Sequence, residues 1–311
     1  MSATLAGDVG GTKTLLGIAR EGAPLTHRRY ANADFPDFTA LLAAFLADAG
    51  SPAAAIHGAC LALAGPIADD GRSARLTNLP WLIDADALGA RFGIPAPRLV
   101  NDFAAAAMGA VTAGPADLVT LQSGEPLPGA PRLVVGAGTG LGMAIVLPED
   151  GGWRIVPGEG GHVAFAPADA EQARLRDHLA AGHGRVTWER VVSGPGLAAI
   201  AGFLGAPDLA PEEVVARAAT SPGGAEARAL AIFLDAYGAF AGDMALACLA
   251  RGGVFLAGGI AARLLDMLPA SGFVAAFNAK AEHAAIAARM PVHIATDPLL
   301  GLKGAFALAL R

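Results

Sequence analysis

The stretch Leu133 to Leu147, LVVGAGTGLGMAIVL, constrains this chain more than any other. Two apolar runs flank a turn built from glycine and one threonine. Glycine reaches φ > 0 and lets a backbone approach a ligand with no Cβ in the way. Successive amides in such a turn can point inward and form a nest for anionic oxygens. Thr139 adds a hydroxyl that can donate to a phosphate oxygen. The same design stands near the N-terminus, where Leu5 to Ala19 reads LAGDVGGTKTLLGIA. Laid over the first stretch, Leu5 falls on Leu133, Gly10 on Gly138 and Thr12 on Gly140. The pair reads as an internal repeat of a strand, glycine turn, strand unit. Two such hairpins facing each other would make a nucleotide cleft between two domains. Two ordinary hairpins with tight turns are the alternative, weakened by the repetition and by an Asp inside the first turn.

Three commoner motifs are excluded by spacing. GDVGGTKT departs from G-x-x-x-x-G-K-[ST], because Thr12 stands where the second glycine belongs. GAGTGLG departs from G-x-G-x-x-G in either frame, with Leu141 or Met143 at the last position. VSGPG at 192–196 has Val191, not glycine, two before Ser193, so it is no nucleophile elbow. The phosphate reading therefore rests on a hairpin rather than on a strand-to-helix loop.

At 311 residues the chain is long for one domain, and two lobes are expected. A 54% hydrophobic, 16% charged composition supports a large core and argues against disorder. The net charge of −6 leaves no basic footprint for nucleic acid. Cys60 and Cys248 sit in apolar runs and read as small buried hydrophobes in a reducing cytosol rather than as a disulfide. The lack of a cysteine cluster argues against structural zinc. The N-terminal residues lack the order of a signal peptide, and Ala245–Ala262 is broken by Arg251 and four glycines, so neither predicts a membrane segment.

Along the chain, 36–49 places Phe38, Leu41, Leu42, Phe45 and Leu46 on one helical face. Ile56–Ala64 reads as a buried strand, and Asp84 as the cap of a short helix ending at Gly93. Arg98–Val100 is a brief strand with Asn101-Asp102 at its C-terminal end, before a helix over Phe103–Ala110. Helices are expected over Ala168–Ala181, over Thr187–Val192 with Thr187 as cap, over about Ala225–Ala250 and over Leu299–Leu310. Gly253–Ala257 and Val292–Ala295 read as strands, and Gly258-Gly259 as a third glycine turn before a helix. Alternating strands and helices predict an α/β fold with a mainly parallel sheet in each lobe.

Asp102 is the candidate general base, since a strand end before a helix faces the ligand crevice in α/β sheets. Simple capping of the next helix is its alternative role. A lone carboxylate at Asp8 would repel phosphate, but it makes sense with a Mg²⁺ between them. Its alternative is a turn Asp bonded to its own backbone. Glu159 and His162 have E-x-x-H spacing, which on paired helices suggests a metal site. Among Gly158, Gly160 and Gly161 a helix is not expected, and two polar groups on a loop suit a polyhydroxyl ligand better. Glu189 joins them, or simply favours a helix dipole. Lys13 either approaches phosphate or is solvated on a strand edge.

These residues closely resemble those of the bacterial glucokinase family, in the sugar kinase, actin and Hsp70 superfold. The matching stretches are GDVGGTKT, LTNLPW, VNDFAAAAMG, GAGTGLGMA, PGEGGHVAFAP, ERVVSGPGL and GGVFLAGGI, in family order over nearly the whole length. The resemblance implies a two-lobed, actin-like (ribonuclease H-like) α/β fold with the active site in the interlobe cleft. It implies a small domain over 1–111 plus 298–311 and a large one over 112–297. Asp8, Gly10, Gly11 and Thr12 would form the first phosphate segment, and Gly138, Thr139 and Gly140 the second. Gly258 and Gly259 would lie by the adenosine, and Asn101, Glu159, His162 and Glu189 would bind sugar hydroxyls. Asp102 would take the proton of the glucose 6-hydroxyl as that oxygen attacks ATP, with Mg²⁺ as the metal.

The missing cysteine-rich loop implies the zinc-free branch. Lys13 departs from the Asn of better-known members. A cytoplasmic homodimer acting on glucose and ATP, with no membrane or nucleic-acid partner, is expected. A kinase for fructose or mannose, or a non-catalytic sugar-sensing regulator, are the rival functions. The regulator would need a helix-turn-helix ahead of a first strand expected almost at Met1.

Overall fold

The structure is a computed structural model that describes residues 3–20, 23, 25–50, 55–77 and 79–310. Asn78, inside LTNLPW, lies outside the described residues. The chain divides into two compact units, Met1–Ala113 with Asp297–Arg311, and Gly114–Thr296.

The first unit is built on five strands and the helices between them. In order come β1 (Ala3–Val9), β2 (Lys13–Arg20), β3 (Thr26–Ala31), α1 (Phe38–Asp48), β4 (Ile56–Leu63), β5 (Ser73–Arg75), β6 (Leu82–Asp84), α2 (Ala85–Phe92), β7 (Arg98–Asn101) and α3 (Asp102–Thr112). The C-terminal helix, Leu300–Ala309, returns to this unit. The main sheet has the order β3-β2-β1-β4-β7, and β5 and β6 pair separately. The local signals act as their chemistry demands. Asp37 accepts from the Ala40 N–H and starts α1. Asp84 accepts from the Ala87 N–H, and Gly93, at φ 67°, ends α2 in the left-handed conformation.

Strand alternation gives the sheet two different faces. Leu5, Val9, Leu16 and Ile18 pack with Phe38, Leu41, Leu42 and Phe45 of α1 in one core. Asp8 lies on the opposite face, where a Cβ added at Gly301 of the C-terminal helix would sit 2.7 Å from its Oδ2. That helix also packs closely on α3. A Cβ at Gly304 would meet the Ala105 carbonyl oxygen at 1.8 Å, and one at Gly109 the Leu300 oxygen at 2.1 Å. Only glycine permits backbones this close.

The second unit contains β8 (Leu118–Gln122), β9 (Arg132–Ala137), β10 (Leu141–Glu149), β11 (Gly152–Gly158), α4 (Ala170–His183), α5 (Gly194–Phe203), α6 (Pro211–Thr220) and α7 (Ala225–Cys248). It ends with β12 (Val254–Ala257), α8 (Gly259–Arg263), α9 (Phe273–Asn278), α10 (Ala284–Ala288) and β13 (Val292–Ala295). Its sheet order is β11-β10-β9-β12-β13-β8. Phe233, Tyr237 and Phe240 of α7 lie in one core with Leu133, Val135, Ile200 and Val254. By length and composition α7 could cross a membrane, but 67% of its apolar window is buried inside the unit, which makes it a core helix.

The structure corrects several expectations. The sheets are mixed rather than mainly parallel. Only β1–β4 and β4–β7 run parallel in the first sheet, and only β9–β12 and β12–β13 in the second. The glycine turns are too short for a crossover, so each joins antiparallel neighbours. The segment expected as a helix over 187–192 forms a single 3₁₀ turn, Trp188–Arg190, and Thr187 makes no side-chain cap bond. Helix α5 follows instead, started by Ser193, which accepts from the Gly196 N–H, and by a proline in its first turn. Cys60 is buried and Cys248 partly so, both as free thiols. Burial pushes their pKa values up to about 12 and about 11.

Candidate active site

The two glycine turns occupy matching places in their sheets. Gly10–Thr12 joins β1 to β2, and Gly138–Gly140 joins β9 to β10. The repeat holds through the first strand and slips on the second. Val9 pairs with Thr14, whereas Ala137 pairs with Leu141. The first turn closes through the Gly10 N–H donating to the Lys13 carbonyl at 3.0 Å. The second closes one residue earlier, with the Gly138 N–H donating to the Gly140 carbonyl at 2.8 Å. Lys13 thus takes the hydrogen-bonding place that Gly140 fills, correcting the overlay of Thr12 on Gly140. Its side chain is exposed at the start of β2, which lies inside the sheet rather than at an edge.

Asp8 lies in β1, not in the turn, opposite Leu15 and Ala62. Burial pushes its pKa up to about 6, helped by the nearby Asp102 carboxylate and opposed by Arg29. A carboxylate in this state gains from a nearby cation, so the residue fits a Mg²⁺ ligand. Asn101 and Asp102 sit two strands away, at the C-terminal end of β7. Asn101 caps α3, with its Oδ1 accepting from the Phe103 N–H at 2.9 Å. Capping, the alternative role of Asp102, is thus shared with its neighbour. Asp102 Oδ1 also accepts from the Phe103 N–H, at 2.8 Å. Burial raises the Asp102 pKa, while the Phe103 N–H, its own N–H and the Asn101 side chain pull it back.

In the second unit three segments converge on the turn Gly138–Gly140. Glu189 Oε2 accepts from the Leu141 N–H at 2.9 Å. A Cβ on Gly140 would lie 2.6 Å from that oxygen, so the carboxylate and the turn fit only around glycine. The Gly194 N–H, at the start of α5, donates to the Gly138 carbonyl at 2.8 Å. Ser193 Oγ donates to the Glu189 carbonyl at 2.7 Å, which ties the start of α5 to the segment that carries Glu189. Gly258, at φ 87°, turns the chain out of β12, and a Cβ there would meet the Ala137 carbonyl at 2.9 Å. Gly258-Gly259 and Gly138 therefore lie at the same ends of paired strands.

Glu159 precedes and His162 ends one 3₁₀ turn, Gly160–His162. Their side chains are 89% and 59% exposed, with His162 Nε2 3.7 Å from Glu159 Oε2. A Cβ on Gly160 would meet Met143 Sδ at 2.2 Å, and one on Gly161 the Leu141 oxygen at 2.2 Å. The two glycines thus press this loop onto β10. The Trp188 N–H donates to the Val163 carbonyl at 3.0 Å, tying the loop to the segment that carries Glu189. A cavity of about 340 Å³ opens beside Thr139 and Glu189, and His183 and Arg190 also line it. Sequence reasoning passed over Ser193, Gly194 and Arg190. The signal was a Ser followed by Gly-Pro, the pattern of a capped helix start.

The chain is similar to known proteins over nearly its whole length. The glucokinase family model matches residues 5–311. A glucokinase of Nostoc sp. is 38% identical, with 100% of both chains covered. One of Chromohalobacter salexigens is 39% identical, over 97% of this chain and 95% of its own. The crystal structure of a glucokinase from an Antarctic psychrotroph superposes with a TM-score of 0.89 at 29% identity, covering 100% of this chain and 99% of that one. The fold is the actin-like one of the sugar kinases. The chain belongs to the glucokinase family.

Proposed function

We propose that Asp102 is the general base in the ATP-dependent phosphorylation of glucose that this family carries out. The observation that carries the reading is a half-buried carboxylate of raised pKa just past the C-terminal end of β7. A raised pKa makes a carboxylate a better proton acceptor, while the N–H groups of Phe103 and of Asp102 itself keep it ionisable. Asp102 takes the proton of the 6-hydroxyl as that oxygen forms its bond to the γ-phosphorus. The bond from that phosphorus to the β,γ-bridging oxygen breaks, and ADP leaves.

Phosphoryl transfer needs mainly positioning and charge neutralisation. The turns Gly10–Thr12 and Gly138–Gly140 would hold the phosphates, Thr139 through its hydroxyl, and Gly258-Gly259 would lie by the adenosine. Asp8 would hold Mg²⁺ through water, and the ion would neutralise phosphate charge. Asn101, Glu159, His162 and Glu189 would hold the sugar hydroxyls. The Asn101 oxygen caps α3, and of its two amide N–H donors one supports the Asp102 carboxylate and the other would serve a sugar hydroxyl. We also propose a cytoplasmic homodimer.

The hexose preference is set by Glu159 and His162. A glucose hydroxyl left unpaired on burial costs about 1–3 kcal/mol. Ionised Glu159 is acceptor-only and suits two adjacent hydroxyls. Mannose inverts the 2-hydroxyl and fructose changes the anomeric end. With a panel of hexoses and phosphoryl donors, glucose and ATP should give the highest kcat/KM. Glu159→Ala and His162→Ala should each lower kcat/KM for glucose by at least about tenfold. Glu159→Ala should also narrow the gap between glucose and mannose. An unchanged glucose-to-mannose ratio would place selectivity elsewhere.

A further inference from the structure

The turn Gly10–Thr12 is held from behind by a side chain that the reaction above does not use. Asn32 follows β3 and opens a 3₁₀ turn, Asn32–Asp34, where it is 2% exposed. Its backbone N–H donates to the Thr12 carbonyl at 3.0 Å. Its side-chain Nδ2 donates to the Gly10 carbonyl at 2.9 Å. Its Oδ1 accepts from Thr14 Oγ1 at 2.7 Å, and Thr14 is fully buried. The Gly10 carbonyl fixes which end of the amide faces the turn. It can only accept, so it selects the N–H₂, which leaves Oδ1 to accept from the Thr14 hydroxyl.

The consequence lies in the peptide between Gly10 and Gly11. In a trans peptide the carbonyl and the next N–H point in opposite directions, and no peptide bond among the described residues is cis. A Gly10 carbonyl aimed at Asn32 therefore turns the Gly11 N–H away from Asn32. Both flanking residues are glycines, so no side chain resists a flip of this peptide. A flip would turn the carbonyl oxygen, a partial negative charge, to the side where the N–H had been. We propose that Asn32 is a positioning residue for the nucleotide: it locks the Gly10–Gly11 peptide with its N–H toward the phosphates. The proposal rests on reading Gly10–Thr12 as a phosphate segment.

The test is steady-state kinetics of Asn32→Ala, with ATP and glucose varied separately. Losing one orienting hydrogen bond should raise KM for ATP by at least about fivefold, with KM for glucose changed less than about twofold. The rise in melting temperature given by a non-hydrolysable ATP analogue should shrink, and that given by glucose should not. Asn32→Asp keeps the side-chain volume and the acceptor for Thr14 but loses the donor, so it should show the same split if the alanine variant does not fold. Unchanged KM for ATP in a folded variant overturns the proposal. So does an equal rise in both KM values, which marks general loosening. Gly11→Pro, which removes the N–H itself, separates the two readings. If it leaves KM for ATP unchanged, the phosphate reading of the turn fails. If it raises KM for ATP while Asn32→Ala does not, only the role of Asn32 fails.

Discussion

At the scale of single residues, Asp8 carries the sharpest electrostatic statement. Its pKa is pushed up to about 6, chiefly by burial and then by Asp102. The folded protein therefore binds this proton more tightly than the unfolded chain does. The stabilising contribution of Asp8 is present below the ordinary carboxylate range and is lost as pH rises through about 6. Asparagine has the same shape and no charge. Relative to the parent protein, Asp8→Asn should be more stable at about pH 7 than at about pH 4.5, by urea unfolding without Mg²⁺. An equal difference at both pH values would mean that the carboxylate is not strained by burial. The same variant should lose most of its activity, because the strained carboxylate is the one a cation would relieve.

At the scale of elements, the two hairpins look alike in sequence and are built differently. Gly138 is open, with nothing within 4 Å of an added Cβ, whereas one at Gly140 would strike Glu189 Oε2 at 2.6 Å. Gly138→Ala should leave the melting temperature nearly unchanged. Gly140→Ala should lower it by several degrees, since it displaces Glu189 from the Leu141 N–H at a cost of about 1.5–3 kcal/mol. It should also raise KM for glucose, although Gly140 belongs to the proposed phosphate segment. Equal melting temperatures for the two variants would show that Glu189 does not brace the turn.

Both hairpins were legible in the sequence because glycine runs between apolar runs announce a strand, turn, strand unit. So were the caps at Asp84 and Gly93, where the chemistry is local. The one-residue slip at Lys13 was not legible, since register depends on which carbonyl closes the turn. Nor was the brace at Asn32, which lies 18 residues from Thr14 and meets it only when β3 pairs with β2. Glu189 was legible as a candidate site residue, but not as the acceptor for Leu141, 48 residues away. The mixed sheets escaped because strand and helix order alone does not reveal direction.

At the scale of the whole molecule, the proposed reaction draws on both units. Asp8, the first turn, Asn101 and Asp102 belong to Met1–Ala113 with Asp297–Arg311. The second turn, Glu159, His162, Glu189 and Gly258-Gly259 belong to Gly114–Thr296. On this proposal one unit supplies the proton acceptor and the carboxylate for the metal, and the other most of the hydroxyl-binding groups and the adenosine turn. Chemistry and recognition should separate accordingly. The central claim is that Asp102 accepts the proton, and Asp102→Asn tests it most directly. Asparagine keeps the shape beside Asn101 and Phe103 and cannot take the proton. Turnover of the folded variant with glucose and ATP should fall by roughly 10²–10⁴-fold, with glucose affinity measured by calorimetry changed far less. Near-normal turnover in that variant would contradict the account.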